Sequence, residues 1–223
     1  MITRPDISRI IIMGDSLSDR GTIYKKKLFG FIPMSLLAGL TGTAPGDSFT
    51  NGMPWSDHFI AALANEFTIK KFQNDKKWRS DDMADAIINN DIHVRRAIEY
   101  YFNLRDDKKV DYRDNEFVRC YTEGGLTSHS YKWVPSISIK RFFTRLILST
   151  LREKRADLLA HDEEHANVLP PKEKAKTLII EWSGANDLIT VNERPSMTEV
   201  NKAVAERIRN IETLVAHGYR HFF

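Results

Sequence analysis

The run Arg9-Ile10-Ile11-Ile12-Met13, which passes directly into Gly14-Asp15-Ser16, constrains this chain more than any other stretch. Residues 8–13 read as a β-strand. Its apolar, β-branched side chains are continuous rather than alternating, as in strands covered on both faces. Such a strand belongs inside a sheet flanked by helices. Thr177–Trp182 repeats the pattern, Phe117–Tyr121 is a weaker strand, and the closing "YRHFF" begins another. Between them lie stretches with helical spacing. Trp55, Phe59, Ile60 and Leu63 mark 54–67, while Ile87, Ile88, Ile92, Ala97, Ile98 and Tyr101 mark 83–104. A further helix is expected over 137–159. The last opens at Ser196-Met197-Thr198-Glu199, a capping signature. It carries Val200, Ala203, Val204, Ile208, Ile211 and Val215 on one face and stops at Gly218. Strands alternating with helices predict an α/β domain with a mostly parallel sheet.

A length of 223 residues accommodates this as one domain. Residues 20–52 are punctuated by glycine and proline and read as loop. Two charged segments, 70–115 and 135–175, read as helical surface insertions. The 33 basic and 30 acidic residues are interleaved. With no basic stripe or reading motif, nucleic acid is not an expected partner. Cys120 is the only cysteine, which excludes an intrachain disulfide. The run 10–13 is too short for a signal-peptide core, and no stretch approaches the about 20 apolar residues of a membrane span. Localisation stays open, since export by a signal elsewhere is compatible with this pattern.

Ser16 follows its strand by two residues, and in open α/β sheets such positions are where sites form. Alone, Gly-Asp-Ser after a strand is read more readily as a turn or a helix cap than as a nucleophile. Two other stretches add to it. "EGGLTS" puts Gly124 and Gly125 after a strand, where a backbone N–H is accessible to a ligand. "WSGANDL" ends the Thr177–Trp182 strand in Gly184-Ala185-Asn186-Asp187, with a carboxamide donor in Asn186. Ser16 N–H, Gly125 N–H and the Asn186 side chain compose a three-donor oxyanion hole. Each such donor contributes on the order of 3 kcal/mol to a transition state.

These blocks resemble the first three of the SGNH, or GDSL-type, lipases and esterases: "GDSLSD", the glycine of "GGLTS", and "GAND". "SFTNGMPWSDHF" is similar to the F-[ST]-N-G-x-x-W stretch of that family's phospholipase and acyltransferase branch. The blocks keep the family order over residues 11–187. The resemblance implies a three-layer α/β/α flavodoxin-like fold, with Ser16 as nucleophile and Gly125 and Asn186 as oxyanion donors. It implies a serine ester hydrolase working through an acyl-serine intermediate, such as a lipase, phospholipase or acyltransferase. No cofactor is expected.

The resemblance also implies a catalytic His in an Asp-x-x-His block near the C-terminus, and nothing after Asn186 fits. The catalytic Asp and His are therefore expected beyond Phe223, in a domain that stops early. Asp15 and Asp19 are weak bases for a serine at ordinary carboxylate pKa values. Asp162-Glu163-Glu164-His165 fits the block literally but precedes Asn186. The overlapping run His161-Asp162-Glu163-Glu164-His165 also has the H-x-x-E-H metal spacing. A third ligand is not identifiable there, so a solvated helix end and no metal is the expectation. Lys25-Lys26-Lys27 and the apolar residues up to 37 suggest a lipid or other acyl-ester substrate and a peripheral membrane contact. The alternative to an enzyme is an inactive SGNH-like ligand-binding or interaction module without its base.

Overall fold

The computed structural model describes residues 6–28, 30–34, 48–50, 52–77, 79, 92–104, 106–112, 115–167, 169–192 and 194–223. A five-stranded mixed sheet organises them. Its strands are β1 (Arg9–Gly14), β4 (Lys109–Tyr112), β5 (Asn115–Thr122), β6 (Thr177–Trp182) and β7 (His221–Phe222), in the order β4-β5-β1-β6-β7. β5, β1, β6 and β7 are parallel, and β4 pairs antiparallel to β5 at the edge. The short helix α1 (Thr22–Lys25) leads into β2 (Lys27–Leu28), which forms a separate small hairpin with β3 (Ile32–Pro33).

The continuous apolar run of β1 is explained by what covers it. Ile10 and Ile12 face Ile60 and Ala64 of α2 (Trp55–Lys76), together with Phe102 and Val118. Ile11 and Met13 face the opposite way, onto Leu151 and Leu158 of α5 (Leu151–Glu164) and Leu214 of α8 (Met197–Ala216). Successive side chains of a strand point to opposite faces, so both faces must be apolar when both are covered. This is an α/β architecture with helices on both faces, compatible with a flavodoxin-like fold. Among the described residues no helix is long and apolar enough to cross a membrane.

The elements depart from the sequence expectations in four places. The helix expected over 54–67 continues to Lys76. The charged segment 70–115 is built into the domain: it supplies α3 (Ile92–Tyr101), packed on α2, and edge strand β4, whose Val110 is fully buried. Residues 80–91, including Ile87 and Ile88, lie outside the described residues. The expected helix over 137–159 is two helices, α4 (Ile139–Ile147) and α5, separated at Leu148–Thr150. Thr150 caps α5 reciprocally with Glu153, and Leu151 N–H donates to Thr127 O at 2.8 Å. The segment 135–175 therefore contains the crossover helix α5 that covers the sheet. It also holds α6 (Pro171–Lys174).

The fourth departure is the orientation of α8. Ala203, Asn210 and Leu214 are its buried side chains, while Val204, Ile208, Ile211 and Val215 stand 41–51% exposed. Asn210 holds Glu181 Oε2 at 2.7 Å and accepts from Arg155 Nη1 at 3.3 Å. These buried polar bonds fix the rotation of the helix against the pull of its apolar stripe. Ser196 and Gly218 keep the expected roles: the Ser196 hydroxyl accepts Glu199 N–H, and Gly218 follows the helix at φ 104°.

Candidate active site

Three adjacent parallel strands end together. Gly14 stands in register with Thr122 of β5 and Trp182 of β6. Glu123 N–H donates to Gly14 O at 3.0 Å, and Asp15 N–H donates to Trp182 O at 3.1 Å. The loops carrying Ser16, Gly125 and Asn186 thus leave one edge of the sheet side by side. This is the carboxyl edge, flanking the point where the strand order reverses. A Cβ at Gly14 would lie 2.7 Å from Ser18 Oγ and 3.0 Å from Trp182 O, so only glycine lets the chain turn here.

Buried carboxylates shape the loops. Both oxygens of Asp19 accept backbone N–H groups: Oδ1 from Gly21 (3.1 Å) and Thr22 (2.7 Å), Oδ2 from Ile23 (3.2 Å) and Gly124 (2.7 Å). Asp187 accepts from Ser128 N–H at 2.8 Å and His129 N–H at 3.0 Å, tying the loop after β5 to α7 (Ala185–Ile189). Asp15 Oδ1 accepts Leu17 N–H at 3.1 Å. Trp55 Nε1–H donates to Ser18 Oγ at 3.0 Å and Ser56 Oγ to Ser18 O at 3.1 Å, anchoring the serine loop to the start of α2.

This bracing sorts the groups into bound and free. Ser18 is fully buried and engaged. Ser16 is half-buried, and neither its hydroxyl nor its N–H has a partner among the described residues. Gly124 N–H is taken by Asp19, whereas Gly125 N–H, on a residue at φ 81°, is free among the described residues. Asn186 Nδ2 donates to Leu126 O at 3.0 Å and its Oδ1 accepts from Thr190 Oγ1 at 2.5 Å. The carboxamide is therefore oriented from both ends, with one amide hydrogen left over.

Burial pushes the Asp15, Asp19 and Asp187 carboxyls above the ordinary range, against the lowering effect of their backbone donors. The Asp187 charge adds to the rise at Asp15. Glu123 behaves oppositely. Burial raises it, but Lys154 Nζ at 2.7 Å and Lys26 Nζ at 2.6 Å outweigh burial and hold it below the usual value. Asp19, Asp187 and Glu123 are the site's framework, and sequence reasoning passed over their bracing roles. Only the proximity of Asp19 to Ser16 and of Asp187 to Asn186 signalled them.

Lys26 also places the β2–β3 hairpin against this edge. Lys25 pairs with Asp107 at 2.7 Å, so of the three lysines only Lys27 is left unpaired among the described residues. Phe31 at the hairpin turn is 71% exposed, and Leu17 next to Ser16 is exposed as well. Residues 35–37, which complete the apolar run, lie outside the described residues, as does Asn51 of the "FTNG" stretch.

No described histidine hydrogen-bonds Ser16. His129 stands edge-on to Tyr131, whose hydroxyl donates to Glu199 Oε2 at 2.6 Å. The Asp162–His165 pair is at the wrong end of the molecule. α5 starts beside Thr127 at the carboxyl edge and runs 14 residues to the opposite edge, about 20 Å at helical rise. There Asp162 accepts from Tyr219 Oη and Lys174 Nζ, both at 2.8 Å.

Comparison of the chain with protein-family models and with curated protein sequences finds no match.

Proposed function

We propose that this chain is a serine ester hydrolase of SGNH type that forms an acyl-serine intermediate at Ser16. The observation carrying this reading is the set of unpartnered groups at one sheet edge: Ser16 Oγ, Ser16 N–H and Gly125 N–H, with the oriented Asn186 amide alongside. In the proposed reaction Ser16 Oγ attacks the ester carbonyl and its proton passes to a base. The oxyanion then takes hydrogen bonds from Ser16 N–H, Gly125 N–H and the spare Asn186 N–H. Collapse expels the alcohol, and water or another hydroxyl releases the acyl group. Exposed Leu17 next to Ser16, with exposed Phe31 on the hairpin that Lys26 ties to this edge, favours acyl lipids, including phospholipids, as the ester class.

A second reading has its own support. Since no described histidine reaches Ser16, the same loops suit an inactive ligand-binding module. p-Nitrophenyl acyl ester hydrolysis by the complete protein separates the two. The enzyme reading expects a fall of at least about 10³-fold for Ser16→Ala and of about 10²-fold or more for Asn186→Ala. Equal turnover by wild type and Ser16→Ala overturns the nucleophile assignment. No turnover by either, with retained ester or fatty-acid binding, favours the binding module.

A further inference from the structure

Helix α5 ends in a second group of chemically competent side chains, on the edge of the sheet opposite Ser16. His161, Glu164 and His165 share the last turn at spacings of three and four residues, which puts them on one face. One imidazole nitrogen from each histidine and one Glu164 carboxylate oxygen all lie within 4.8 Å of one another. Among the described residues this is the one group of three or more His, Cys, Asp or Glu residues with that spacing of ligand atoms.

Each histidine is oriented by a hydrogen-bonding or charged neighbour. His165 Nδ1 is 2.8 Å from the His161 carbonyl oxygen. A carbonyl only accepts, so Nδ1 carries the proton and the Nε2 lone pair points away. His161 Nε2 is 3.7 Å from Glu116 Oε2, so Nε2 carries the proton toward that carboxylate and the Nδ1 lone pair is left for a ligand. Glu116 is itself held by Arg9 and Arg119. A carboxylate or carbonyl behind a ligating imidazole is the usual outer support of a metal ligand. The negative end of the helix dipole at the C-terminus of α5 favours a cation at the same spot.

We infer that His161, Glu164 and His165 bind a divalent transition-metal ion, with Zn²⁺ the best fit. Two imidazoles and a carboxylate form a three-ligand set that leaves a fourth, open position. His161 is half-buried, whereas Glu164 is exposed and free to rotate inward and His165, also exposed, can pivot about its Nδ1 bond to the His161 carbonyl. Closing the set requires ligand atoms about 3.3 Å apart at zinc bond lengths of about 2.0–2.1 Å. Rotation of those two side chains supplies that movement. The ion would staple the last turn of α5, distant from the ester site.

Calorimetric titration of the chelator-treated complete protein with Zn²⁺ tests this, with Co²⁺ absorption reporting ligand geometry. One ion per chain is expected, with intense tetrahedral Co²⁺ bands. Binding should weaken at least about tenfold in Glu164→Gln and more in His165→Ala. Both side chains are exposed, so circular dichroism should show the fold retained. Absence of stoichiometric binding in wild type overturns the inference. So does unchanged affinity in a His161→Ala/His165→Ala double variant, which would place the ion elsewhere.

Discussion

The two edges of the sheet both bury carboxylates and, Glu123 with its Lys26 and Lys154 partners apart, they satisfy them by different means. At the carboxyl edge Asp15, Asp19 and Asp187 are held by backbone N–H groups, without a basic side chain hydrogen-bonded to any of them among the described residues. At the opposite edge Glu116 and Asp162 sit among Arg9, Arg119, Lys174 and Tyr219. The difference is one of what each arrangement fixes. A carboxylate that collects main-chain donors dictates the path of a loop and uses no other side chain. Ser16 and Gly125 stay free because Asp19 and Asp187 have already set the backbone. An ion-pair network instead fastens separate elements together, here β1, β5, α5, α6 and the approach to β7. Its fit is looser: Arg9 Nη1 and Asp162 Oδ1 are buried 3.7 Å apart, and neither has a hydrogen bond among the described residues.

Substitutions that change the kind of partner would break this contrast, and the largest stability effect is expected at Asp19. Each of its oxygens receives two N–H groups, so Asp19→Asn turns an NH₂ against one pair of donors. A loss of about 3 kcal/mol in urea unfolding is expected, with loss of the proposed ester hydrolysis as the loop relaxes. Wild-type stability in that variant would mean that the loop is held by other contacts. Glu116→Gln comes next, at about 2 kcal/mol, because it leaves the buried Arg9 guanidinium without its closest countercharge.

The pH dependence sharpens the same contrast, because the two kinds of carboxylate shift in opposite directions. Burial raises Glu116, but hydrogen bonds and charge from Arg119 and Arg9 outweigh it and hold the folded value below 4.5. Its stabilisation is present above about pH 4.5 and disappears as pH falls through the depressed folded value. Asp19 and Asp187 are raised above 3.8 by burial. Their contribution is complete below about pH 3.8 and disappears as pH rises through the elevated folded value. Glu116→Gln should therefore flatten the acid-side loss of stability, and Asp187→Asn should reduce the loss on the rising side. Denaturant midpoints between about pH 3 and 7 read both. The smallest effect is expected for Tyr219→Phe, about 1 kcal/mol, since Asp162 keeps Lys174. The proposed hydrolysis should be unchanged in that variant, as Tyr219 belongs to the far edge.

Much of the frame was legible in residue order. The strand runs at 8–13 and 177–182, the Ser196 cap and the Gly218 stop are local signals, and each reappears within a residue or so. The break between α4 and α5 was legible too, in Thr150-Leu151-Arg152-Glu153, but apolar periodicity across 137–159 masked it. β4 was hidden because Lys109–Tyr112 is charged and short, and it becomes a strand only by pairing with β5. Glu164 joined His161 and His165 only once the last turn of α5 was in place.

What the sequence determined by itself is the identity of the β1 core strand and the residues that follow strands β1, β5 and β6. Hydrophobic periodicity and turn chemistry act over a few residues, so one chain suffices to read them. What only the tertiary structure decided is which hydrogen-bonding groups remain unclaimed: Gly125 rather than Gly124, Ser16 rather than Ser18. It likewise decided that α8 turns Asn210 inward and Val204, Ile208, Ile211 and Val215 outward. Those outcomes depend on partners up to a hundred or more residues away. A buried donor or acceptor must find its partner in space, and sequence distance carries no record of which one it finds.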